Sequence, residues 1–169
     1  MNMDGQDRQD GAIRMPDGKI IVAAEELPVL TIRQPWAWAI MDGRKRVENR
    51  FWSTPYRGWM LVHAGKGWDP LERMPDGSLP PSPSSCVFGA ILGAVKLTAC
   101  LRTDRGDDRK RLALLELGPW VEGPKCLIFA PERVVFERPV PCAGALKWWR
   151  VSGEVAARVM EELKGNAHG

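Results

Sequence analysis

The stretch Val29 to Ile32 alternates like a strand. Pro35 follows where a helix can begin, because a helix's first turn does not need the N–H that proline lacks. Trp36 to Met41 is a short apolar run, and Asp42-Gly43 closes it with a turn. The polar run Arg44 to Arg50 comes next, and Trp59 to Ala64 then reads as a buried strand ending near His63. Val87 to Leu101 is a long strand run, with Gly89 and Gly93 as bends or bulges. Cys126–Ala130 and Val134–Glu137 read as two strands joined by Pro131-Glu132-Arg133, and Pro139 and Pro141 suit an edge or exit segment. In the extended segment Lys147–Arg150, the adjacent Trp148 and Trp149 face opposite ways. Ser152 is an N-cap before Val155, Val159 and Leu163, whose four-residue spacing makes the apolar stripe of a C-terminal helix.

The remaining segments are punctuated by Gly and Pro. Residues 1–12 are polar and read as disordered. Residues 13–23 either form a hairpin around Pro16-Asp17-Gly18 or belong to an unstructured leader, and the pattern leaves both open. Residues 65–85, rich in Gly and Pro, read as a long loop, either a flap over a site or an insertion. Residues 102–111 are of mixed charge and read as a loop, with a short helical turn at Leu112–Leu117. The expected organisation is an acidic leader at 1–27, a domain at 28–150, and a helix with a frayed tail at 151–169.

The 169-residue chain fits one globular domain able to bury its own core. It has no apolar run that could span a bilayer, and its acidic N-terminus does not read as a secretory signal. Cys86, Cys100, Cys126 and Cys142 form no C-x-x-C pair, and there are only two His, so a zinc site has no support. Reduced thiols and no signal predict a cytoplasmic protein without metal or cofactor.

Charge singles out the stretch already parsed. Residues 28–66 hold seven Lys/Arg against two acids, whereas the whole chain is only +3. Cations interleaved with Trp, Phe and Tyr suit nucleic acid, neutralising phosphates while aromatic faces stack on unpaired bases. A short run such as Arg44-Lys45-Arg46 is also an ordinary solvated turn, and charge alone favours that reading. If residues 46, 48 and 50 share one strand face, Glu48 and Arg50 are aligned, Val47 faces the core and Lys45 sits at the strand entry. A carboxylate can accept from a base's exocyclic amine, and Arg can grip a phosphate or a base edge bidentately. Trp36 or Trp52 could wall such a pocket, while Gln34 and Thr54 add neutral hydrogen bonds. The same residues could equally form a structural ion-pair network tying the helix to the strands.

The pattern Gln34-Pro35-Trp36-Ala37, Gly43-x-Lys45-x-Val47-Glu48-x-Arg50, Trp52-x-Thr54 and Arg57-Gly58 resembles the signature of the ASCH domain (activating signal cointegrator homology). The resemblance covers about residues 28–150. That family belongs to the PUA-like superfamily, so the resemblance implies an α+β fold: a small β-barrel of about five or six mostly antiparallel strands flanked by short helices. It also implies a nucleic-acid-binding module holding a base or nucleotide of single-stranded or modified RNA, or DNA, in a cationic, Trp-lined pocket. The site residues are then Gln34, Trp36, Lys45, Glu48, Arg50, Trp52, Thr54 and Arg57. RNA is favoured over DNA, and the C-terminal helix offers a possible protein contact.

An enzyme is the alternative. Some ASCH-like proteins are amidohydrolases of acetylcytidine with a G-x-K-T-x-T-x-R signature. Lys45 and Arg50 match it, but Glu48 stands where the nucleophilic Thr belongs, and no acid lies at Ala94–Lys96. A Lys that activates a hydroxyl needs that hydroxyl. Other ASCH proteins are implicated in RNA cleavage, for which Lys45, Glu48 and His63 are the acid–base candidates. A histidine at a strand end is more often structural than catalytic.

Overall fold

The computed structural model describes residues 11–166. Of the expected disorder over residues 1–12, the part at 1–10 lies outside them, as does the end of the frayed tail at 167–169. Two short strands, β1 (Ile13–Arg14) and β2 (Ile20–Ile21), pair antiparallel around the Pro16-Asp17-Gly18 turn. The main sheet has six strands: β3 (Val29–Gln34), β4 (Val47–Arg50), β5 (Gly58–Trp68), β6 (Ala90–Arg102), β7 (Lys125–Pro141) and β8 (Trp148–Trp149). Their order is β4-β7-β6-β5-β3-β8, and only the β3–β5 pair is parallel. Among the described residues there are three α-helices: α1 (Trp36–Asp42), α2 (Gly106–Leu114) and α3 (Gly153–Asn166). No helix among the described residues is long and apolar enough to cross a membrane.

The mixed α+β class agrees with the expectation, but no ladder closes the sheet into a barrel. Its edge strands, β4 and β8, are not hydrogen-bonded to each other. Side chains bridge the gap instead. Arg50 Nη2 on β4 donates to the carbonyl of Thr31 on β3 at 2.9 Å, and Trp52 meets Trp148 of β8 edge-on, with ring centroids 5.6 Å apart. The sheet therefore curls until its two ends face each other across an open seam.

Burial explains the layering. Leu30, Ile32, Ile40, Met60, Val62 and Phe129 form a core between α1 and the sheet. Val159 and Leu163 of α3, both fully buried, pack with Trp59 and Phe136 on a second core. Val47 is fully buried beside Ile128 and Trp120 in a third, as its strand parity required.

Three expected elements differ. The mixed-charge run at 102–111 is partly helical, because α2 starts at Gly106. Asp107 and Asp108 occupy its first turn, where acids suit the exposed N–H groups, and Asp108 Oδ2 accepts from Arg102 N at 2.9 Å. The two strands expected around Pro131 are one continuous strand. Val95 pairs with Arg133 and Leu97 with Phe129, so Ala130, Pro131 and Glu132 bulge opposite Lys96. A bulge has no ladder bond for proline to break. Finally, β5 runs on to Trp68 into the expected loop. A Cβ on Gly67 would meet the Arg33 guanidinium at 2.4 Å, so glycine there lets Arg33 lie flat across the strand.

Candidate nucleic-acid pocket in the sheet seam

The seam between β3 and β4 opens into a hollow of about 460 Å³. That is within the usual size range of small-ligand sites, roughly 300–1,000 Å³. Each wall comes from a different element. β3 contributes Thr31 and Arg33, and α1 contributes Trp36. Lys45 and Glu48 to Arg50 come from the turn and strand after α1, and Phe51 and Trp52 from the bend beyond. Asp69 and Pro75 enter from the Gly/Pro-rich loop, and Trp120 and Glu122 from the segment before β7.

At the back lies a chain of charges. Lys45 is 4 % exposed. Its Nζ donates to the Val47 carbonyl and, at 2.8 Å, to Glu48 Oε2. Arg50 Nη2 meets the other carboxylate oxygen, Glu48 Oε1, at 3.1 Å while also holding the Thr31 carbonyl. Arg50 Nε is buried with no partner among the described residues. Lys45 Nζ also sits 5.8 Å above the Trp36 ring, a cation–π distance. Trp36 Nε1 donates to Asp69 Oδ2 at 2.8 Å, and Asp69 Oδ1 accepts from Arg33 Nε at 2.6 Å. Trp36 stands edge-on to Trp120 at 6.5 Å, so its ring is fixed on both sides.

Five of the residues singled out in the sequence thus meet here: Trp36, Lys45, Glu48, Arg50 and Trp52. The other four go elsewhere. Gln34, 1 % exposed, is spent on the fold: Oε1 accepts from Trp38 N, and Nε2 donates to the Val87 carbonyl, both at 2.8 Å. Thr54 Oγ1 accepts from Tyr56 N at 3.1 Å and organises a turn. Arg57 Nη1 donates to the Thr54 and Tyr56 carbonyls of that turn. His63, 1 % exposed, bonds through Nε2 to the Cys142 carbonyl at 3.0 Å and lies edge-on to Trp149 at 5.5 Å. Burial holds its pKa below the usual 6.5, and the bond to Cys142 only partly opposes this. His63 does not line the hollow, so it makes no acid–base set with Lys45 and Glu48.

Sequence reasoning missed Arg33, Asn49, Phe51, Asp69, Trp120 and Glu122. Three of these lie in or beside the motif; Asp69, Trp120 and Glu122 arrive from segments with no periodic signal. Asn49 Nδ2 donates to the Trp120 carbonyl at 2.9 Å, and Oδ1 accepts from the Glu122 and Gly123 N–H groups, each at 3.1 Å. The lining also corrects the expected charge. Arg33, Lys45 and Arg50 are balanced by Glu48, Asp69 and Glu122, so the hollow is formally neutral rather than cationic.

Comparison with known proteins supplies the context. A family model described as the ASCH domain matches residues 30–118. Activating signal cointegrator 1 of Mus musculus is 38% identical over 81 residues, and that of Homo sapiens is 38% identical over 82. Each match takes in 43% of this chain but only 14% of the relative, so the likeness spans a small part of those longer proteins. Among solved structures, a point mutant of ZmASCH from Zymomonas mobilis is similar with a TM-score of 0.47 and 14% identity, covering 79% of this chain and 96% of that one.

Proposed function

We propose a function from one premise: this chain belongs to the ASCH domain family, whose model spans more than half of it. The function is to bind nucleic acid by taking one unpaired base into the seam hollow, with RNA favoured over DNA. The observation that carries this reading is the Lys45–Glu48–Arg50 chain at the back of a hollow lined by Trp36 and Trp52. An ionised carboxylate has about four lone-pair sites, so Glu48 can still accept from a base's exocyclic amine while bonded to both cations. The Arg50 Nε donor, after a small rotation, can meet a base carbonyl. The indole rings supply stacking faces that tolerate any base. A neutral hollow suits a base better than a phosphate, whose charge belongs at the rim.

Geometry disfavours the enzymatic alternative. Lys45 Nζ is engaged as a donor to both a carbonyl and a carboxylate, and the side chain is buried. It is therefore poorly placed to activate a nucleophile, and Glu48 brings no hydroxyl for it to activate.

The test is binding and product analysis on the same samples. Fluorescent single-stranded RNA and its DNA counterpart are incubated with the protein at two salt concentrations, then run on a denaturing gel. We expect intact strands, tighter binding of RNA, and weakened binding by Glu48→Ala or Arg50→Ala. Shortened strands that vanish with Lys45→Ala would replace this reading with a ribonuclease.

A further inference from the structure

Phe51 is 90 % exposed, on the rim of the hollow. Every other aromatic side chain among the described residues is buried or half-buried. A ring so exposed gains little from the fold, because hydrophobic stabilisation scales with the apolar area removed from water. The strand end that carries it is nevertheless anchored. Phe51 follows directly on β4, whose end is tied to the opposite wall by the Asn49 bonds to Trp120, Glu122 and Gly123. Arg50 at the back of the hollow and Trp52 on its wall are its immediate chain neighbours.

We propose that the hollow takes its base from a strand rather than from a free nucleoside, and that Phe51 is the platform on which the adjacent base stacks. This rests on the base-pocket reading and adds the substrate class: an unpaired step of at least two nucleotides. An exposed ring beside a pocket that holds one base lies within reach of the next. Stacking on an aromatic face is tolerant of sequence, so Phe51 adds affinity without choosing the neighbour. Glu122 is exposed among the lining residues and repels phosphate, so the uncharged bases rather than the backbone face the hollow and Phe51.

The experiment compares ligands of different length on the full chain. The four ribonucleoside monophosphates and a short mixed-sequence single-stranded RNA are titrated against wild type, Phe51→Ala and Phe51→Trp, following intrinsic Trp fluorescence and ligand NMR. Phe51→Ala should weaken the RNA about ten-fold and weaken the monophosphates far less, and Phe51→Trp should restore the RNA. Equal loss for both ligands would mean that Phe51 holds the base in the hollow and not its neighbour, and would overturn the proposal. So would no loss for either, or no rescue by Trp. Wild type that binds neither ligand would instead remove the base-pocket reading, and the stacking step with it.

Discussion

Lys45 and Glu48 are a buried ion pair in which each charge depends on the other. Their side chains are 4% and 11% exposed, and Arg50 is a second partner for the carboxylate. Removing Lys45 leaves the buried carboxylate with Arg50 alone, and breaking a buried pair typically costs about 3–5 kcal/mol. Lys45→Met should therefore lower unfolding free energy by about 3 kcal/mol in urea titration. Lys45→Met combined with Glu48→Gln should recover part of it, because the buried carboxylate is gone and only the half-buried Arg50 is left without its ion-pair partner. Loss of a purely exposed pair would cost about 1 kcal/mol or less and show no such recovery. His63 gives a pH signature at the same scale. Its folded pKa lies below 6.5 because burial disfavours the imidazolium. The unfolded chain therefore binds more protons between the folded value and 6.5. Stability is full above 6.5 and falls as pH drops through that window. In urea titrations across that range, His63→Gln should flatten the decline relative to wild type. Of this much, the sequence carried a part. The parity of Val47 aligned Glu48 with Arg50, as the structure has them. The bonds of Thr54 to Tyr56 N and of Gln34 to Trp38 N are local, a turn and a helix start that compete for these side chains, whereas the Val87 partner of Gln34 is set by packing.

At the scale of elements, strands were legible wherever apolar runs were long, and their limits were not. Val87–Leu101 announced β6 and Trp59–Ala64 the middle of β5. Pro131 concealed the continuity of β7, because a bulge is a property of two strands and not of one. The same crossing yields a prediction. Gly93 sits where β6 passes β5 and β7, and a Cβ there would come 2.1 Å from the Val134 carbonyl oxygen and 2.6 Å from Met41 Cε. The carbonyl belongs to the neighbouring strand and cannot step aside. Gly93→Ala should thus destabilise by about 2–3 kcal/mol, as overpacking does, with the loss read in thermal unfolding. Ala90→Gly on the same strand removes a methyl and creates no clash, so it should cost about 1 kcal/mol. α1 joins element to site. It places Trp36 in the hollow, and its first turn is secured by the Gln34 side chain accepting from Trp38 N. Gln34→Leu leaves the Val87 carbonyl and the Trp38 N–H unmet. It should lower stability by about 2 kcal/mol in urea and loosen Trp36 enough to weaken RNA binding.

Across the whole molecule, the charge that drew attention to residues 28–66 and the charge that lines the hollow are different things. The segment is strongly basic. The hollow is neutral, because Asp69 and Glu122 arrive from outside the segment. Sequence order cannot reveal that meeting, since it depends on β4 curling back toward β3 across the open sheet. The consequence is measurable as salt dependence. A ligand held by Glu48, Arg50 and stacking inside a neutral site releases few counterions. A strand releases them only where its phosphates meet cations outside the hollow. For single strands the slope of log K against log salt is about −0.7 per phosphate neutralised. Two or three phosphates neutralised on the basic surface beyond the hollow predict a slope of roughly −1.4 to −2 for single-stranded RNA. The uncharged nucleosides should show a slope near zero under the same conditions. Glu48→Gln should weaken both ligands and leave the RNA slope as it is. A much steeper RNA slope, with RNA affinity undiminished by Glu48→Gln, would mean that binding lies on the basic surface outside the seam, and the Trp-walled hollow would then have no part in it.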